Sequence, residues 1–493
     1  MMQQSAVIRT MQQAMSQGDW ARAIATGKQW RANGGIHWGI TLNLAICLQR
    51  NRQGTPEQLS VLADEALRQS RGHPIARMGC AELAISMGRH EQALVLLESA
   101  AGALDSGVNP WPATQLRVQA LSAIGRSEEA WEELEQWPVH ERTLHWKMAA
   151  ANHLIQLNAW QEAEEIYRSI LAAQPNQAEA NHNLGLTLLC QERWQEGWKQ
   201  YEWRPGNPRR QHAHNPPESI PPLNGLSKTT VIVIGEQGIG DQIMMARYIP
   251  TLHQACRRLI VQPAQRLKRL LGRSLPDGIE LLGPGELDLP QTEPVLIMGT
   301  GSLPLLCWDE DGIKSKKASW RLQPDKARTQ QWRQRLKSMK GERRSVGIGW
   351  LGGSTGAEQR ERAISDKDLT LLTESQDLMC IDLQYLPTGW EQLRSEWAQG
   401  CQEVLASPGE DLDETVGLIA ALDHVVTTRQ TIAHLAGAIG KQASVLVPQR
   451  REWRYIATEG SWNWYPNITC VQQHRRGQWR RELGLILNTT LLA

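Results

Sequence analysis

Val231-Ile232-Val233-Ile234 runs straight into Gly235-Glu236-Gln237-Gly238-Ile239-Gly240-Asp241, and this juncture limits the fold more than any other stretch of the chain. Four β-branched apolar residues in a row leave no polar face, so the strand is buried on both sides, as in a parallel sheet. The glycine-rich turn then opens a helix expected to run to about Ala255. Glycines there let backbone approach a ligand closely, and a helix start offers unpaired N–H groups that suit phosphate or carboxylate. Asp241 stands at that mouth, where a carboxylate can cap the helix or act as a general base in a cleft.

The same α/β pattern continues to the C-terminus. Leu259-Ile260-Val261 and Val295-Leu296-Ile297-Met298 read as strands, with a basic helix over 265–271 between them, giving a first Rossmann-like half over 229–322. A second half, 323–493, opens with a helix over 325–339. Its strands are predicted at 345–350, 379–383, 424–427 and 444–447. Behind the first of these lies Leu351-Gly352-Gly353-Ser354-Thr355-Gly356, followed by Arg360 and Arg362. A flexible loop followed by guanidinium groups fits a diphosphate, and it also fits a solvated loop. Between the last two strands, a Thr-rich turn precedes a small-residue helix at Thr431–Gly440. Hydroxyls, backbone N–H groups and His434 converge there, and His434 reads either as a core histidine or as a ligand-facing one.

The first two hundred residues follow a different rule. Short helix-starting segments recur at Gly18, Gly88, Gly125, Asn158 and Glu192, the last three intervals being 37, 33 and 34 residues, and the first gap of 70 holds two units. Apolar positions Trp160, Ala163, Ile166, Tyr167, Ile170 and Leu171 fall on one helical stripe, and Pro175 ends the pair. Such a period with helix–turn–helix content predicts a stacked array over 1–204 whose concave face binds a partner or props up its neighbour. A proline-rich stretch over 205–228 reads as a linker or wrapping loop. Its His212 and His214, without a third ligand, read as exposed histidines and not as a metal site.

A length of 493 residues calls for several domains. Lys+Arg 53 against Asp+Glu 52 gives no general attraction to nucleic acid. The charge is split, however: residues 1–203 carry 17 basic and 21 acidic residues and the remainder 36 and 31, which puts an anionic ligand in the C-terminal part. No apolar run is long enough for a membrane span or a signal peptide, so a cytoplasmic protein is expected. The cysteines are scattered without a Cys-x-x-Cys pair, which suggests neither zinc nor a disulfide framework. No phenylalanine occurs, and tryptophan stands where any large aromatic would serve.

Residues 143–203, with Ala178, Ala180, Leu184-Gly185, Trp198 and Tyr201, resemble the tetratricopeptide family. Taken in order, Glu236–Asp241, Ala246-Arg247-Tyr248-Ile249-Pro250, Gly349-Trp350-Leu351-Gly352-Gly353, Ala421-Leu422-Asp423, His434–Ala438 and Trp462–Pro466 look like the bacterial tetratricopeptide–glycosyltransferase proteins. Their C-terminal part is similar to glycosyltransferase family 9, the lipopolysaccharide heptosyltransferases of GT-B fold. The resemblance implies a multidomain chain: an all-α tetratricopeptide solenoid, then an α/β GT-B-like pair of Rossmann-like domains. It further implies an inverting, metal-independent transferase that needs no cofactor and takes a nucleotide-sugar as substrate. Asp241 would be the catalytic carboxylate, with Gln237, Gly238 and Gly240 on the acceptor side. Trp350, Gly352, Gly353, Arg360, Arg362, Gln384, Thr431 and His434 would hold the donor. A protein or peptide acceptor would dock on the array. Arg429 occupies a position where the family often has Asp, a reversal of charge. A non-catalytic protein-binding scaffold with a degenerate GT-B domain is the alternative from another class.

Overall fold

The computed structural model describes residues 4–492 apart from 52, 102–110, 139, 141, 211–218, 284–285, 287–293, 309–319, 353–361, 387–402, 405–410 and 459. By contacts the chain divides into two compact units, Met1–Gln156 and Leu157–Ala493.

The first unit is helical throughout its described residues, from Gln4–Ser16 to Leu144–Gln156. Its repeat is built by backbone sign as much as by apolar spacing. Gly18, Gly88 and Gly125 all adopt positive φ, at 72°, 75° and 88°, and so close one helix and aim the next. Asn158 and Glu192 do the same at the start of the second unit, at 59° and 60°. Small residues let the helices approach: a side chain on Gly79 would meet Leu42 Cδ2 at 2.5 Å.

The second unit opens with three helices, Trp160–Ala173, Ala178–Cys190 and Trp194–Tyr201. The expected stripe is present, with Ala163, Tyr167 and Ile170 buried. These helices belong to the same compact body as the sheets, so the proline-rich stretch is not where the units part. The reason is tryptophan burial. Trp198 is enclosed by Trp453 at 5.1 Å, Trp308 at 6.0 Å and Trp464 at 6.5 Å. The start of the proline-rich stretch is itself anchored, for Arg209 is buried and donates to the carbonyls of Ser219 and Ile297.

Two sheets follow. The first contains β1 (Thr230–Ile234), β2 (Arg258–Gln262), β3 (Glu280–Leu281) and β4 (Val295–Gly299), all parallel, in the order β3-β2-β1-β4. The second is built on β5 (Arg344–Gly349), β6 (Leu378–Asp382), β7 (Glu403–Val404), β8 (His424–Thr428) and β9 (Ala443–Val447). It ends in a hairpin-rich edge of β10 (Ala457–Thr458), β11 (Ser461–Trp462) and β12 (Tyr465–Gln472), in the order β10-β11-β12-β9-β8-β5-β6-β7. Strands β12 to β7 in that order pair in parallel, and the β10–β11 and β11–β12 pairings are antiparallel.

One expected helix differs. The segment after β1 is not continuous to Ala255: Ile239–Met245 gives way to a 3₁₀ turn at Ala246–Tyr248, and a second helix starts at Ile249. Pro250 explains the break, because its ring cannot accept a helical neighbour four residues back and it donates no N–H. Among the described residues no helix is long and apolar enough to cross a membrane.

Candidate functional site

Strand order locates the crevices. In an open parallel sheet a ligand binds beyond the carboxyl ends of the strands, where the order reverses direction. In the first sheet that point lies between β1 and β4, and in the second between β5 and β8.

The first crevice is occupied by the chain itself. Glu236, from the turn after β1, reaches across β4, so close that a side chain on Gly299 would meet its Oε1 at 1.9 Å. Its carboxylate is paired with Arg204, which is wholly buried and also donates to Glu202 at 2.8 Å and Ser302 at 2.8 Å. Gln237 takes a positive φ of 61° and donates to the carbonyl of Pro205 at 3.4 Å.

Asp241 does not cap its helix. The N-cap is Gly238, extended at φ −76° and ψ 162°, with no side-chain cap, and Asp241 lies in the first turn beyond it. Its Oδ1 accepts the Nε–H of Arg454 at 2.5 Å, with both side chains about one-fifth exposed. Its Oδ2 lies over Gly238 and makes no hydrogen bond among the described residues. Burial opposes the charge on Arg454, but Asp241 outweighs it and holds the guanidinium protonated above its ordinary range. Arg454 also reaches the Tyr201 hydroxyl at 3.5 Å.

Gly240 is a packing glycine: a Cβ there would come 2.8 Å from the ring of His434. His434 is buried, with Nε2 3.2 Å from the Tyr455 hydroxyl and Nδ1 without a partner among the described residues. Burial lowers it to about 4, against the opposing pull of Asp241, so at neutral pH the ring is uncharged. Thr431 is the first residue of the helix Thr431–Ile439, whose N-cap, Gln430, makes no side-chain cap.

Around the second crevice the arginines gather. Glu452 pairs with Arg362 at 3.2 Å, Arg429 at 3.3 Å and Arg450 at 3.4 Å. Burial works to raise this carboxyl, yet the three guanidinium groups outweigh it and bring it to about 2. Gly352 sits tightly on this cluster, since a Cβ would meet the Arg429 carbonyl at 2.6 Å. Trp350 and Gln384 lie beneath it as a brace. The Trp350 indole donates to Asp382 at 3.1 Å, Asp382 accepts the Gln384 N–H at 2.8 Å, and Gln384 Oε1 accepts from Leu351 N at 2.8 Å. Gly353, Arg360, His212 and His214 lie outside the described residues.

The structure thus brings Asp241, Gly240 and His434 together and sets Arg362 and Gly352 at the neighbouring crevice. Sequence reasoning missed the segment that joins them, Arg450-Arg451-Glu452-Trp453-Arg454-Tyr455. A run of charge and aromatics directly behind the buried strand β9 is the signal that could have found it.

No protein-family model matches the chain. A protein named FlbA from Caulobacter vibrioides is 27% identical over 327 residues, covering 61% of this chain and 52% of its own, so the chain spans about half the length of the curated relative it matches. Among solved structures, an O-GlcNAc transferase from Thermobaculum terrenum covers 90% of this chain and 84% of its own at 13% identity and a TM-score of 0.30. A family 9 glycosyl transferase from Veillonella parvula covers 54% of this chain and 92% of its own at 9% identity and a TM-score of 0.36. YrrB, a TPR protein with an unusual peptide-binding site, covers 33% of this chain and 82% of its own at 17% identity and a TM-score of 0.26. The architecture is a tetratricopeptide-type helical array followed by a GT-B-like pair of parallel-sheet halves, as its own repeat turns and strand orders establish.

Proposed function

We propose that the protein is a glycosyltransferase that moves a sugar from a nucleotide-sugar to an acceptor, a protein or peptide docked on the helical array. The carrying observation is one cluster: a carboxylate behind β1, an uncharged buried histidine and an arginine group beside the β5–β8 crevice. In this reading the acceptor hydroxyl oxygen forms a bond to the anomeric carbon as the bond from that carbon to the donor phosphate breaks. The phosphate takes the electron pair and Asp241 Oδ2 takes the proton, which gives inversion without a metal. Arg362, Thr431 and His434, with Arg360 beyond the described residues, favour the departing diphosphate. The cytoplasm, where such donors are made, is the proposed location.

Incubating the purified chain with a panel of sugar nucleotides and an acceptor lysate tests the reading. Release of nucleotide coupled to sugar on a protein supports it. The Arg454–Asp241 ion pair favours a second reading, a binding scaffold whose base is permanently engaged. Donor binding without turnover, in wild type and in an Arg454→Gln variant alike, would select that scaffold.

A further inference from the structure

The most unusual side chain in the second crevice is Arg429. It follows β8 directly and is wholly buried. Its Nη1 donates to the Arg450 carbonyl at 3.4 Å and faces Glu452 at 3.3 Å, and its guanidinium lies 5.7 Å from the Tyr455 ring centre. Its Nε and Nη2, the two N–H groups along one edge of the planar fork, have no hydrogen-bond partner among the described residues, and neither has the hydroxyl of the adjacent Thr428. Buried donors left unmatched in this way carry a desolvation penalty, so native chains keep them where something else completes them. The unmatched edge is the one that grips a carboxylate or phosphate through two parallel bonds.

The surroundings select an anion. Among the described residues Arg362, Arg429 and Arg450 all face the single carboxylate of Glu452. Gly352 adds no side chain here: a Cβ would stand 3.0 Å from Thr428 Oγ1 and 3.4 Å from Arg362 Cδ. The turn also lies at the β5–β8 reversal, where parallel sheets take their ligands.

We propose that the Nε–H and Nη2–H edge of Arg429, together with the Thr428 hydroxyl, binds an oxyanion of a small-molecule ligand, either a phosphate or a sugar carboxylate. The inference rests on the second half being the donor side. It adds that an aspartate here could only accept hydrogen bonds, whereas this guanidinium only donates them and pairs most strongly with an anion. Burial lowers the proton affinity of Arg429 against the pull of Glu452, a cost that a bound anion would offset.

Thermal shift and calorimetry on the full chain test it, with inorganic pyrophosphate, a panel of nucleoside diphosphates and glucuronate as separate probes. At least one should stabilise the wild type, with pyrophosphate naming phosphate as the group recognised and glucuronate naming carboxylate. Arg429→Met should lose that binding, and because it also gives up the pair with Glu452 its melting point without ligand is read beside the wild type. Arg429→Lys, which keeps the charge without the paired edge, should weaken it by roughly tenfold or more. Thr428→Val removes only a hydroxyl that bonds nothing, so it should fold normally and weaken binding several-fold, which keeps the test intact if the Met variant misfolds. No response from any probe, or unchanged affinity in the Arg429→Met and Thr428→Val variants, overturns the proposal. Oxyanion binding lost in Arg429→Met without any sugar turnover leaves this site standing and removes the transferase reading. Turnover indifferent to Arg429→Met does the reverse.

Discussion

Asp241 was legible as a residue of interest because a carboxylate behind a glycine-rich turn has few roles, but which role was not. The choice turned on Gly238 taking the cap and on Arg454, some two hundred residues away, taking Oδ1. No local pattern encodes such a partner. Since the cap does not depend on it, Asp241→Asn should keep the helix and donor binding while reducing turnover by roughly 10²- to 10⁴-fold, the usual worth of acid–base assistance. Steady-state rates beside a melting curve check this, and full turnover in a folded variant would dismiss Asp241 as the base. Trp350 and Gln384, expected on the donor side, brace Asp382 and Leu351 in the structure. Three histidines of the second unit make a pH prediction. His182, His424 and His434 are each brought by burial to about 4 from an ordinary 6.5. Below pH 6.5 the unfolded chain takes up protons that the folded one refuses. Their contribution is therefore whole above 6.5 and drains away toward pH 4, on the order of 3 kcal/mol for each. Urea melts of the second unit from pH 7 to 4 should show that slope, and His424→Gln should flatten it by about a third.

At the scale of elements, the buried strands were the most readable, for β1, β2, β4, β5, β6, β8 and β9 all fall within two residues of their expected spans. Continuous apolar runs need a sheet on both sides, whatever the rest of the chain does. The two-residue strands β3, β7, β10 and β11 carry no such signal, because their pairing comes from neighbours and not from their own composition. The repeat turns were visible as a period, while their physical basis, a positive φ at one fixed place, appears only in the backbone. Glu192 takes that conformation without being glycine, at φ 60°. Glu192→Gly should relieve strain worth more than glycine's extra flexibility and raise stability by on the order of 0.5 kcal/mol. Gly125→Ala should cost about 1 kcal/mol at the equivalent place. Denaturant midpoints compare the pair, and equal effects of the same sign would contradict the account.

At the scale of the whole molecule, composition and packing draw the line in different places. A change of composition at the proline-rich stretch is real, but a change of composition is not a boundary of packing, and Trp194, Trp198 and Tyr201 lie on its far side within the aromatic core of the second unit. A fragment of residues 157–493 should therefore melt as one cooperative body. A fragment of residues 204–493 should be aggregation-prone, having lost the helix that covers Trp453 and Trp464. Soluble yield and calorimetry distinguish them, and a well-behaved 204–493 fragment would restore the boundary to the prolines. The two sheets then invite a comparison of another kind. Each reverses its strand order in the same manner, yet Arg204 is lodged for good at the first reversal and the second keeps unmatched donors. The protein carries, in effect, its own blank: a sister crevice permanently tenanted by the chain. Hydrogen exchange on adding an oxyanion ligand should slow the turns after β5 and β8 and leave the turn after β4 at its former pace, so that genuine occupancy reads as an asymmetry within a single molecule.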